Sequence, residues 1–199
     1  MNMGRTRSAF EVAAAAAGIA AVLLLGTFAL RQKLPAPARP AASTAGGFMP
    51  CDIPGGGYWR GSIHGDGALT IDWGGPTLGC DGNLRPDGGV RLFFAGEPTE
   101  DGHRLILVIG IGASLDALAG RELAANVTLI DESRSRFFSS SDERCFARIA
   151  AVEKLQGYAT AYRVAGELYC AGSLPAVAGP ESVTLGDMQF AGRFDAGDL

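Results

Sequence analysis

Cys51, Cys80, Cys145 and Cys170 are the residues whose chemistry reads most directly, since all four fall after residue 45. No pair has the close spacing of zinc ligands, so the expectation is two disulfides formed in an oxidising compartment. Chain order favours Cys51–Cys80 and Cys145–Cys170 among the three pairings that four cysteines allow. Each bridge would close a loop of about 25 to 30 residues, worth roughly 3 to 4 kcal/mol in the chain-entropy account.

Other reactive side chains are sparse. His64 and His103 are the two histidines, each beside a glycine-containing turn, Gly65-Asp66-Gly67 and Glu100-Asp101-Gly102. A histidine next to an aspartate can act as a base, but adjacent strand residues point to opposite faces, so both are expected to be solvated. Gly61-Ser62-Ile63 lacks the second glycine and the strand-to-helix turn of a nucleophile elbow. Asp81-Gly82-Asn83 and Asp87-Gly88 have calcium-ligand composition without calcium-loop spacing and read as turns. No catalytic, metal-binding or cofactor-binding residue is assigned. The candidate binding residues are aromatic. Trp59 and Trp73 form a platform or a buried cross-strand pair, and one ring of Phe137-Phe138 must face away from the core.

Period-two patterns position these residues. Tyr58 to His64 and Ala68 to Trp73 match their apolar faces when Ile63 opposes Leu69 and Trp59 opposes Trp73. That register leaves Gly65-Asp66-Gly67 as a bulged hairpin loop. Further strands read at Val90–Ala95, Arg104–Ile111, Asn126–Asp131, Ala161–Cys170 and Ser182–Phe194, the last with a bulge at Gly186-Asp187. Asp87-Gly88 and Asp101-Gly102 mark turns, and the continuously apolar Leu105–Ile111 reads as a central strand covered on both faces. Ser140 to Leu155 predicts one short helix, with a capping box at Ser140–Glu143, Cys145, Ile149, Val152 and Leu155 at helical spacing, and Gly157 as the stop; a long strand is the alternative. The fold class is mainly β: an antiparallel β-sandwich or flattened barrel with one short helix, preceded by an N-terminal membrane helix.

Residues 1–33 read as a signal anchor or signal peptide. Val12 to Leu30 carries no charge and would span about 28 Å as a helix, and Arg5 and Arg7 precede it. The start, with Glu11 at the head of the apolar run, resembles a type IV pilin N-terminus. The departures are Thr6 in place of the expected glycine and the early stop at Pro35, Pro37 and Pro40, so no family residue carries over. Residues 34–47, LPAPARPAASTAGG, form an extended Pro/Ala-rich linker. Residues 48–199 have the size of one disulfide-bonded domain. Five of the 17 basic residues and one of the 21 acidic residues precede residue 45, so the remainder carries 12 against 20, a net of −8. That charge excludes nucleic acid as a natural partner. Only Lys33 and Lys154 are lysines, and the arginine and alanine preference fits a GC-rich bacterial genome.

The expected location is the inner membrane with a periplasmic domain, or the periplasm or exterior if the N-terminus is cleaved. The expected function is an envelope-anchored module that binds an envelope protein or a glycan and is not an enzyme. The alternatives are a periplasmic hydrolase or lyase whose site assembles only on folding, and an accessory component of a secretion or pilus assembly.

Overall fold

Alternating apolar and polar side chains dictate strands, and the frequent glycines let the chain reverse between them. The computed structural model describes residues 49–65, 68–140 and 144–197. Among them run β1 (Pro50–Cys51), β2 (Tyr58–His64), β3 (Ala68–Leu84), β4 (Val90–Gly96), β5 (Leu105–Ile111) and β6 (Glu122–Asp131). Then follow β7 (Arg136–Ser139), β8 (Cys145–Lys154), β9 (Ala161–Cys170), β10 (Leu174–Pro175) and β11 (Ser182–Asp195). Among the described residues the only helical elements are two 3-10 turns, Leu115–Ala117 and Glu132–Arg134. No helix among the described residues is long and apolar enough to cross a membrane; Val12–Leu30 and the linker lie outside them.

Strand pairing closes on itself. The antiparallel ladders run β2–β3–β4–β5–β6–β8–β9–β11, and β11 returns to β2. Of the two expected architectures the ring is therefore a barrel, whose closure removes the long free edges of a sandwich. The first hairpin has the expected register, with Ile63 opposite Leu69 and Trp59 opposite Trp73; Asp66 and Gly67 of its loop lie outside the described residues. β3 continues past Trp73 through a kink, where Gly75 takes φ +53° and Thr77 Oγ1 bonds Gly74. Above the kink β3 pairs with β2; from Leu78 it pairs with β4.

Residues 145–154 are a strand, not the predicted helix. β8 is paired on both sides, with β6 and with β9. The helical spacing has a strand explanation. In a regular strand Ile149 and Val152 would face opposite sides, but a register shift between Ile149 and Ala151 lets both pack on the core. Ser140 does not cap a helix; its Oγ accepts from the Val127 N–H at 2.8 Å, and residues 141–143 lie outside the described residues.

Both disulfides join the expected partners, Cys51–Cys80 and Cys145–Cys170. Cys145 and Cys170 sit directly opposite each other, so the bond staples β8 to β9, not a helix to a sheet. It lies where the wall changes composition: β6 pairs with β8 along Glu122–Ala125 and with β7 along Thr128–Asp131. Both bridges, every named strand and the whole core lie within the compact unit Ser43–Leu199.

Inside the ring Trp59, Phe94, Phe190 and Phe194 are fully buried. Burial of side chains of this size stabilises by about 1.5 to 3 kcal/mol each. Trp59 and Trp73 pack with centroids 5.1 Å apart, and Phe94 meets Phe190 at 5.7 Å. Gly96 and Gly192 make this possible, because a Cβ at either would collide with the Trp73 ring or the Phe94 ring. On β5, Leu107, Ile109 and Ile111 are fully buried; on the other face Ile106 is 8% exposed but Val108 is only half-buried, so the cover expected on both faces is complete on the inner one alone.

Candidate functional site

The two ends of the barrel differ. At one end the β5–β6 connection folds inward, with Leu118 fully buried in the core. This connection is tied to the β8 bulge by Gly120 N–H donating to the Ile149 carbonyl and Ile149 N–H to the Arg121 carbonyl, both 2.9 Å. The opposite end opens into a cavity of about 420 Å³. Its apolar wall comes from the β2–β3 hairpin, β11 and the inner faces of β5, β6 and β7: Ile63, Leu69, Leu105, Leu129, Phe138 and Val183. Its polar wall is one-sided, formed by Asp101 and His103 before β5, by Asp131 at the end of β6, by Arg134 in the 3-10 turn that follows and by Arg136 at the start of β7. Antiparallel pairing of Leu105 with Asp131 brings these two segments together.

Asp131 is the centre of the polar wall, with a side chain only 5% exposed. Its Oδ2 accepts from His103 Nδ1 at 3.1 Å and lies 3.6 Å from the Arg136 guanidinium. Its Oδ1 accepts from the Arg134 N–H at 3.3 Å, capping the 3-10 turn Glu132–Arg134. A buried carboxylate is tolerated when donors surround it, as here. Because the carboxylate only accepts, the His103 ring donates through Nδ1, which leaves its Nε2 for other contacts. No described residue bonds that Nε2, and none pairs with the Arg134 guanidinium. Arg136 lies over the Phe138 ring, 5.5 Å from its centroid.

The polar wall is braced. Ser133 Oγ accepts from Arg104 N–H at 2.7 Å and donates to the Gly102 carbonyl at 2.9 Å. Thr99 Oγ1 accepts from His103 N–H at 3.0 Å, and Arg104 pairs with Glu132 at 3.1 Å.

His103 is thus not the solvated loop residue the sequence suggested; its side chain is 18% exposed and its partner is Asp131, not Asp101. His64 is exposed on the outer face of β2, 3.0 Å from Ser62 Oγ. The Gly186 carbonyl, 3.2 Å from Ser62 Oγ, competes with His64 for the single hydroxyl proton, and the pair lies outside the lining of the cavity. Asp87 serves a turn, accepting from the Gly89 N–H, but Asp81-Gly82-Asn83 is not the expected turn: it lies within β3, paired with Phe93, Leu92 and Arg91 of β4, and Asp81 Oδ1 accepts from the Gly82 N–H there. No group of metal-ligating side chains occurs among the described residues.

The aromatic candidates divide. Trp59 is in the core, its Nε1–H directed at Met188 Sδ 3.4 Å away, and Trp73 is half-buried beside it. Phe138 is buried and lines the cavity, while Phe137 is 48% exposed on the outer wall, its carbonyl bonded by the Val177 N–H at 2.8 Å. Sequence reasoning missed Asp131, Arg134 and Arg136. A signal existed: pairing the predicted strands at 104–111 and 126–131 as a meander sets His103 beside the end of the second.

No protein-family model, no curated protein and no solved structure matches the chain.

Proposed function

We propose that this chain is an envelope-anchored, extracytoplasmic module that binds a small ligand in the mouth of its barrel. The observation that carries the reading is a cavity with an apolar wall facing a braced polar wall, at one end of a ring otherwise filled with side chains. Eight-stranded rings have room for a packed interior or one small ligand, and barrel mouths are preferred binding sites. The disulfides are consistent with an oxidising compartment outside the cytoplasm. The uncharged stretch Val12–Leu30 supplies the tether or the export signal, and the Pro/Ala linker the reach. Native mass spectrometry of the full chain released from its own membranes tests the proposal. A bound small molecule is expected, and Leu69→Trp, which fills the cavity from a half-buried wall position, should abolish its retention. Retention unchanged in that variant would remove the cavity from consideration.

A second reading is a hydrolase or lyase in which His103, oriented by Asp131, acts as a general base. The 3.1 Å pairing favours it. Against it, the cavity lining contains no Ser, Thr, Cys, Lys or Tyr among the described residues that His103 could activate as a nucleophile, so the base would have to act on water or on the substrate itself. Turnover lost with ligand retained in His103→Gln would select this reading over simple binding.

A further inference from the structure

We infer that the mouth cavity selects ligands joining an apolar body to an acidic, acceptor-rich head group; this rests on the ligand-binding reading above. The inference follows from an inventory of donors and acceptors. Asp131 already accepts from His103 and Arg134 and is paired with Arg136, so its charge is matched from within the protein. The Arg134 guanidinium has no partner among the described residues, and its planar N–H fork matches a carboxylate or phosphate. Across the cavity Leu69, Leu105, Leu129 and Phe138 offer no polar side-chain atom, so the rest of the ligand must be apolar. Asp101, the second carboxylate of the lining, is exposed at the rim and opposes the head group. A cation held at Asp101 is therefore the competing outcome that a test must separate.

Three probes share one body and differ in the head: phenylbutyrate, phenylbutanol and phenylbutylamine. They are titrated calorimetrically against the full chain in lipid nanodiscs, with empty discs as blanks. Phenylbutyrate should bind tightest. Arg134→Gln should weaken phenylbutyrate about tenfold, the loss of one charge-assisted contact, and leave phenylbutanol unchanged. Asp101→Asn should tighten phenylbutyrate and weaken phenylbutylamine. Equal binding of the acid and the alcohol, or Arg134→Gln weakening all three alike, overturns the acidic-head inference while the binding reading stands. Preference for the amine overturns it in favour of a cation site at Asp101. Binding of none of the three by a correctly disulfide-bonded protein overturns both readings together.

Discussion

Asp131→Asn is the sharpest perturbation of the polar wall, because it keeps the shape and removes one acceptor and the charge. The carboxylate uses both oxygens, Oδ2 toward His103 Nδ1 at 3.1 Å and Oδ1 toward Arg134 N–H at 3.3 Å. An amide has one oxygen. If it stays on Arg134 N–H, the NH₂ group faces His103 Nδ1, and the ring must move its proton to Nε2 to accept. The opposite orientation sets donor against donor at Arg134. Either way one charge-assisted bond is lost and Arg136 loses its neighbour at 3.6 Å. Such bonds contribute about 1.5 to 3 kcal/mol. The lower half applies, because His103 can change tautomer and the Arg136 side chain, 24% exposed, can reach water. A cost of about 2 kcal/mol corresponds to a fall in Tm of roughly 4 to 8 °C for a domain of this size. Thermal melting gives the magnitude, and nitrogen NMR of the histidines gives the tautomer. Nδ1 should change from proton-bearing to bare. A His103 that keeps its proton on Nδ1 in the variant, with an unchanged Tm, would refute the account of Asp131 as the group that sets the ring.

The two bridges close intervals of 29 and 25 residues, each worth about 3.5 kcal/mol by loop closure. Cys51→Ala/Cys80→Ala should nonetheless cost less than Cys145→Ala/Cys170→Ala in urea melts, because the two-residue β1 can fray once released and regain entropy in the folded state; the reverse order would contradict this. Asp195 is held below the usual carboxylate value of 3.8, first by the Thr160 hydroxyl and then by the Gly197 N–H and Arg193. Its contribution is therefore complete above pH 3.8 and is lost as pH falls through the lowered value, and Thr160→Val should flatten that part of an acid-stability curve. A reporter fused after Leu199 should be active outside the cytoplasm and silent when residues 1–33 are deleted; cytoplasmic activity of the full fusion would defeat the localisation.

Local pattern was enough for most of the fold. Face matching of Trp59 with Trp73 and Ile63 with Leu69 set the first hairpin, and the bulge near Gly186-Asp187 appears as a shift between Gly186 and Gln189. Where local pattern failed, a bulge or a kink had changed the period. At β8 one extra residue reproduced the three-and-four spacing of a helix, and double-sided pairing overrode the capping signal. At β3 the alternation read from the sequence covers only Ala68 to Trp73, yet a φ of +53° at Gly75 lets the strand turn a corner and resume. Ring closure was beyond local pattern, since it depends on β11 meeting β2 across the length of the domain.

The site was hidden for a different reason. His103 and Asp131 are ordinary residues at strand ends, and neither has meaning until β5 and β6 pair. Their placement then depends on the segments around them. Ser133 binds both Arg104 and Gly102, Thr99 holds His103, and Glu132 N–H donates to the Arg104 carbonyl at 2.9 Å while its side chain pairs with Arg104. All but the Thr99–His103 bond cross between the two segments, so the polar wall is one braced unit. A wall fixed this way loses little freedom when a ligand arrives, and more of the contact energy is left for affinity and selectivity. The bracing also separates two roles. Ser133→Ala should loosen the geometry and weaken every ligand alike, whereas Arg134→Gln should act on acidic ligands alone. Ligand-dependent loss in Ser133→Ala would show that the serine contacts the ligand itself and that the bracing argument assigns it the wrong part.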